Sequence, residues 1–327
     1  MRTRPFTSPG DPVGGTHRSV LLHEAVDAIV LRRSGIYVDA TYGGGGHTRL
    51  IREQAGREAT IIAIDADQSA IARATEAAQR DPRLIPIHAN FRRLDVELRA
   101  RDIQEVTGVL FDLGWSGFQL TAGRGFSFQS DEPLHMGYDE AQELTAATVV
   151  NTWAETSLAD VIYGWGGERY ARKIARGIVE ARAKNPIRTA YQLAHIVSRA
   201  VPAAYRRGRT HPATKTFQAI RIAVNDELGA LGDGLRGAWS VLTEGGRLAV
   251  VTFHSLEDRA VKQLFRSWAK EGAMLLTKKP ITPNRDEIRE NPRARSAKLR
   301  VIEKHVSYEK KTTENQQVPP LDPSGEA

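Results

Sequence analysis

The chain has 327 residues, a formal net charge of +7 and a hydrophobic content of 41%, which is long and apolar enough for one large domain or two ordinary ones. It has no cysteine, which excludes a disulfide scaffold, a zinc ribbon, an iron–sulfur cluster and a thiol nucleophile. No apolar run approaches the roughly 20 residues that cross a bilayer, and the opening MRTRPFTSPGDPVGG has no hydrophobic signal core; no membrane partner is expected, and the expected location is the cytoplasm.

Along the chain, residues 1–16 are rich in Pro, Gly and Thr and read as a loose arm. From Ser19 the pattern turns helical, with Val20, Leu21, Ala25, Val26 and Ile29 on one face. Apolar runs at Ile36 to Ala40, Thr60 to Ala66, Leu84 to His88 and Val106 to Leu113 then read as buried strands, the first three each followed by a helical segment. That alternation predicts an α/β fold built on a parallel sheet with helices on both faces. After Leu113 the rhythm breaks for about a hundred residues of mostly helical pattern. Strand-like sequence resumes at Arg247 to Phe253, and Ala294 to His305 can supply a last strand. The expected organisation is one sheet domain, residues 17–116 and 217–311, interrupted by a helical insertion over 117–216. A disordered tail from 312 to 327 follows, carrying Pro319, Pro320 and Pro323.

The charge is unevenly placed. Residues 168–216 hold 12 Arg and Lys against two Glu, a local balance of +10, and residues 278–311 add +6, which leaves −9 for the remainder. Two basic blocks on an otherwise acidic chain point to a polyanion, with nucleic acid the natural one.

The chemical signals lie at strand ends. Asp39 to His47, DATYGGGGH, follows a strand and opens a helix, and its glycines allow close approach of a ligand. Asp65 ends the second strand, where an acid can accept both ribose hydroxyls of a nucleoside. The glycine loop lacks the final Gly of a dinucleotide fingerprint, since Thr48 or Arg49 stands there, so a diphosphate is less well served than S-adenosylmethionine. Phe91 offers an apolar wall at the third strand end, and Asp112 and Gln119 are the polar groups at the fourth. Ser255 and Asp258 read as a capping box. His254 is a candidate for the substrate side of the cleft and equally a structural histidine. No metal site is expected, because His254 and Glu257 make two ligands and no third stands at a fixed spacing.

The motifs HRSVLLHEAV, DATYGGGGHTRLI, IDADQSAI, DLGWSGFQL, RGFSF, HPATKTFQAIRIAVNDEL, GGRLAVVTFHSLEDRAVK and NPRARSAKLRVIEK, in this order from about His17 to His305, resemble the RsmH/MraW family of small-subunit rRNA cytosine-N4 methyltransferases. The resemblance implies a Rossmann-like class I methyltransferase sheet with an inserted helical substrate-recognition domain, an S-adenosylmethionine donor, and a decoding-centre cytidine of 16S rRNA at the ribosomal P site as substrate. Carried over by motif, the donor contacts are Gly45, Gly46, His47, Asp65, Phe91, Asp112 and Gln119. The oligomeric state is not legible, and a homodimer stays open.

The chain departs from the commoner family pattern at Gly117, Phe118 and Thr121, and at His135 and Gly137, where Asp and Arg are usual. Cytosine's amine is a poor nucleophile, and acceptors for its hydrogens would help it react; Asp112 is the expected catalytic group. Trp115 is the aromatic expected near the base, while Phe126 and Phe128 are expected in a core. Arg206, Arg207, Arg209 and Lys215 are expected on RNA phosphates. Asn225, Asp226 and Glu227 are candidates to anchor the insertion. An RNA-binding factor without turnover, a DNA amino-methyltransferase and a nicotinamide dehydrogenase are the rival readings.

Overall fold

The computed structural model describes residues 19–113, 123–128, 131–139, 142–208 and 210–305. The expected arm and tail, and Trp115, Gln119, Arg209, Gly117, Phe118 and Thr121, lie outside the described residues.

The strands are β1 (Ile36–Asp39), β2 (Thr60–Asp65), β3 (Leu84–His88), β4 (Val106–Asp112), β5 (Leu242–Thr252), β6 (Met274–Leu275) and β7 (Lys298–Glu303), in one sheet of order β3-β2-β1-β4-β5-β7-β6. The first five are parallel, as the alternation predicts. At the far edge the parallel run ends, and β7 lies antiparallel between β5 and β6. Helix α12 (Ser255–Lys270) carries the chain from β5 to the edge strand β6, and the return from β6 leaves β7 to fill the gap in the opposite direction.

Period-two alternation builds both faces of the sheet. Tyr37, Ile61, Ala63, Leu110, Ala249 and Val251 point to one side, under α1 (Leu22–Ile29), α2 (Gly46–Gln54) and α3 (Gln68–Arg80). Val38, Ile62, Ile64, Val109, Phe111, Leu248 and Val250 point to the other, under α4 (Leu94–Arg99), α11 (Glu227–Val241) and α12. The order reverses between β1 and β4, the position at which open α/β sheets hold ligands beyond their carboxyl ends.

Between β4 and α11 lies a separate apolar cluster. It is built on α5 (Ala146–Thr152), α6 (Glu155–Gly164), α7 (Ala171–Arg182), α8 (Ala190–Ala200) and α10 (Ala213–Asn225), with the short α9 (Ala203–Arg206) at its margin. The expected end of the insertion at residue 216 falls inside α10, whose Phe217, Ala219, Ile220 and Val224 pack in this cluster. The packing therefore changes at Asp226, whose φ of 44° turns the chain into α11. Among the described residues no helix is long and apolar enough to cross a membrane.

Candidate active site

At the end of β1, Asp39 is fully buried. It accepts the Thr48 hydroxyl at 2.7 Å and the Thr41 N–H at 3.2 Å. Burial pushes its carboxyl above the ordinary range, against the opposing pull of His47 and these hydrogen bonds. The loop from Asp39 into α2 is tight. Gly45 has φ +75°, and a Cβ there would lie 2.6 Å from the Tyr42 hydroxyl; a Cβ on Gly46 would lie 2.1 Å from Ser19 Oγ. The glycines are thus required by contacts within the protein.

His47 is almost completely buried, with Nε2 3.2 Å from the Val20 carbonyl oxygen and Nδ1 3.5 Å from Asp112 Oδ2. Its ring is flanked by protein groups on both nitrogens, so the structure places it behind Asp112. Asp112 ends β4, where its N–H donates to the Thr41 hydroxyl at 2.6 Å.

Asp65 ends β2 and accepts the N–H of Gly43 and of Asp67, each at 2.8 Å and each on a different oxygen. A carboxylate has about four acceptor sites, so each oxygen keeps capacity for a ligand hydroxyl. Burial pushes the carboxyl up to about 6. Affinity for a diol-bearing ligand is therefore expected to fall as pH drops through about 6, because protonation removes an acceptor; calorimetric titration between pH 5 and 8 checks this, and a flat profile would refute it. The sign for stability is opposite. The folded state binds this proton more tightly than the unfolded chain, so Asp65 alone favours folding as pH falls through the same window. Phe91, half-buried beyond β3, stands edge-on to Phe111 at 5.5 Å and against Gly234 of α11.

Sequence reasoning missed Arg124. It reaches from the insertion to Asp67, the N-cap of α3, at 2.8 Å, with both side chains 9% exposed. It also donates to the carbonyl oxygens of Tyr138 at 2.7 Å and Gly137 at 3.4 Å. The RGFSF motif was the available signal, but nothing local marks its Arg as the partner of an acid 57 positions away.

The fold also corrects the reading at His254. The N-cap of α12 is His254, not Ser255: its Nδ1 accepts from the Glu257 N–H, and Glu257 answers by accepting the N–H of His254 and of Phe253. Glu227 of α11 supplies the third group absent from the sequence pattern, and one ligand atom each of Glu227, His254 and Glu257 lie within 4.8 Å of one another. Glu227 is committed, however. Arg221 pairs with both its oxygens, at 2.5 and 2.8 Å, and the Tyr138 hydroxyl donates to it at 2.7 Å. A guanidinium already neutralises Glu227, which with the Tyr138 hydroxyl ties the insertion to α11. Burial beside Glu227 pushes the Tyr138 hydroxyl well above its usual value. Asn225 and Asp226 extend the junction, Asn225 to the backbone of Met136 and Tyr138 and Asp226 to Arg92.

Gly45, Gly46, His47, Asp65, Phe91 and Asp112 thus converge on one edge of the sheet, with His254 at the end of β5. Arg206, Arg207 and Lys215 stand on the insertion instead, on or beside α9 and on α10. Phe126 and Phe128 are core residues, Phe126 stacked on Tyr138 and Phe128 on His211. The departures at His135 and Gly137 fit each other. The Gly137 N–H donates to His135 Nδ1 at 3.0 Å, and a Cβ at 137 would lie 2.6 Å from the His135 ring.

Residues 15–305 match the model of the MraW methylase family. The chain is similar to Ribosomal RNA small subunit methyltransferase H of Thermomicrobium roseum, 46% identical over 90% of this chain and 95% of that one. It is also similar to the protein of that name from Paenibacillus sp., 45% identical over 88% and 99%. A solved structure described as a putative rRNA-methylase from Clostridium thermocellum aligns at a TM-score of 0.42 and 13% identity, over 88% of this chain and 98% of that one.

Proposed function

The chain belongs to the MraW methylase family, and from that premise we propose that it methylates the exocyclic N4 amine of a P-site cytidine in 16S rRNA. It is an S-adenosylmethionine-dependent methyltransferase of the ribosomal RNA type; the base, the atom and the site are the proposal. One observation carries the donor side. Asp39, Asp65 and Asp112 stand at the ends of β1, β2 and β4, with β1 between the other two in the sheet. Asp65 and Asp112 flank the crevice on either side of the buried Asp39, and carboxylates there disfavour a diphosphate and favour a cation such as a sulfonium.

The residues fit that group. Asp65 keeps acceptor capacity for a ribose, Phe91 gives an apolar wall for an adenine, and the Gly45–Gly46 turn lets backbone come close; Gln119 completes the proposed set. When bound, S-adenosylmethionine supplies a methyl carbon activated by its positive sulfur. The cytidine amine that takes this methyl would shed one proton to solvent. Asp112 accepts hydrogen bonds from the amine and draws off the charge that develops on it. The enzyme's main contribution is to align acceptor, carbon and sulfur. The target cytidine must leave its stack; Trp115 receives the base, His254 lines the substrate side, and Arg206, Arg207, Arg209 and Lys215 hold phosphates.

The test is transfer of labelled methyl to small subunits that lack the modification, followed by mapping of the label. Label on one 16S cytidine N4 is the expected result. Label on a uridine or a protein, or no label, refutes the reading.

A further inference from the structure

The first basic block holds a more organised feature than a solvated helix face. Tyr170, directly before α7, and Tyr205, on α9, meet edge to face at 5.0 Å and 71°. The Arg169 guanidinium lies 4.9 Å from the centre of one ring and 5.0 Å from the other, and the Lys173 ammonium lies 6.0 Å from the Tyr170 ring. Beneath them Glu168 is fully buried. It accepts the Tyr205 hydroxyl at 2.6 Å on one oxygen and the Tyr170 N–H at 2.9 Å on the other. A buried acid therefore fixes the two residues on which the cations rest.

The stretch of chain around them is almost one-signed. Glu168 is the only carboxylate between residues 161 and 179, and none occurs from 181 to 225. Arg169 and Lys173 are exposed, and neither has a carboxylate partner among the described residues. Arg206 and Arg207 follow Tyr205 directly and are exposed too, and Lys215 reaches the Gly167 carbonyl oxygen beside Glu168 at 3.2 Å. A guanidinium over aromatic faces loses rotamer freedom but keeps its in-plane N–H donors, so less entropy is lost when it meets an anion.

We infer that Arg169 and Lys173, braced by Tyr170 and Tyr205 over buried Glu168, form a clamp for the phosphate backbone of the substrate RNA, on the insertion rather than at the sheet edge. This rests on the ribosomal RNA reading of the function and adds a surface to it. The clamp reads charge, not sequence, because the ring faces toward Arg169 are already covered. Its loss weakens binding to all RNA sequences alike.

The test compares the full-length protein with Arg169→Gln/Lys173→Gln in binding to 16S rRNA across salt concentrations, and in turnover on undermodified subunits. Each phosphate contact contributes about 0.7–0.9 to the slope of log affinity against log salt. The double variant is expected to lower that slope by about 1.4–1.8 and to weaken binding roughly tenfold at moderate salt. The effect on turnover falls on KM for subunits, and donor affinity stays as it was. Tyr205→Phe keeps the ring but frees Glu168, and is expected to show a smaller KM rise at an unchanged salt slope. An unchanged slope and affinity in the double variant overturn the clamp. So does a loss seen with assembled subunits but not with naked 16S rRNA, which would place a protein on this surface. A wild-type chain that binds rRNA through these residues yet transfers no methyl counts against the functional reading and leaves the clamp standing.

Discussion

Asp112→Asn is expected to lower kcat by about 10²–10⁴-fold at saturating donor, the usual contribution of a positioned acid or base. The carboxylate ends the strand beside the reversal of sheet order, its backbone held by the Thr41 hydroxyl and its side chain backed by the buried His47 ring. Asparagine keeps this shape and loses the negative charge, so the variant separates charge from geometry. The amine becomes more positive as its bond to carbon forms, and a neutral amide cannot offset that charge as a carboxylate does. Single-turnover transfer to undermodified subunits at saturating donor isolates the chemical step. An unchanged rate there would remove Asp112 from the chemistry and leave it a donor contact.

Arg124→Ala is expected to destabilise the fold by about 3–5 kcal/mol, because it strands the Asp67 carboxylate in a site from which water is largely excluded. The same change loosens the donor crevice, since the Asp67 N–H is one of the two backbone donors that hold Asp65. Arg124→Met with Asp67→Asn should recover most of the loss: Asn still caps α3, and no charge remains buried. Burial raises the Asp67 carboxyl, but hydrogen bonds from Ser69 and Arg124 outweigh it and hold it below the ordinary range. Its stabilisation is therefore present above the ordinary carboxylate range and lost as pH falls toward the depressed value. Urea unfolding between pH 3 and 7 checks both points. A midpoint unmoved by Arg124→Ala would mean that the pair holds nothing together.

The strands were legible because burial on both faces leaves continuous apolar runs, and β1 to β4 fall within a residue of the expected bounds. The position of Asp65 at a strand end was legible because the apolar run stops at it. Position alone misled at Ser255. Its spacing to Asp258 satisfies a capping box, yet Glu257 reaches the backbone of His254 one residue earlier and sets the start of the helix there. At the end of the insertion the apolar period runs without a break through α10, and the change of packing partner comes at a left-handed residue that periodicity does not register.

The amino-acid pattern by itself determined the alternating layers, the strand-end acids and the family, since each is written in residues near one another in the chain. Tertiary structure alone decided the reversed direction of β7, the placing of Glu227 within 4.8 Å of His254 and Glu257, the Arg124–Asp67 strut, and the brace of Glu168 under Tyr205. These last are polar pairs between distant segments, 57 positions apart for the strut and 37 for the brace. A buried polar pair has no period and no local composition. It exists because two packed layers leave a charged group without water, and only the packing says which group answers it.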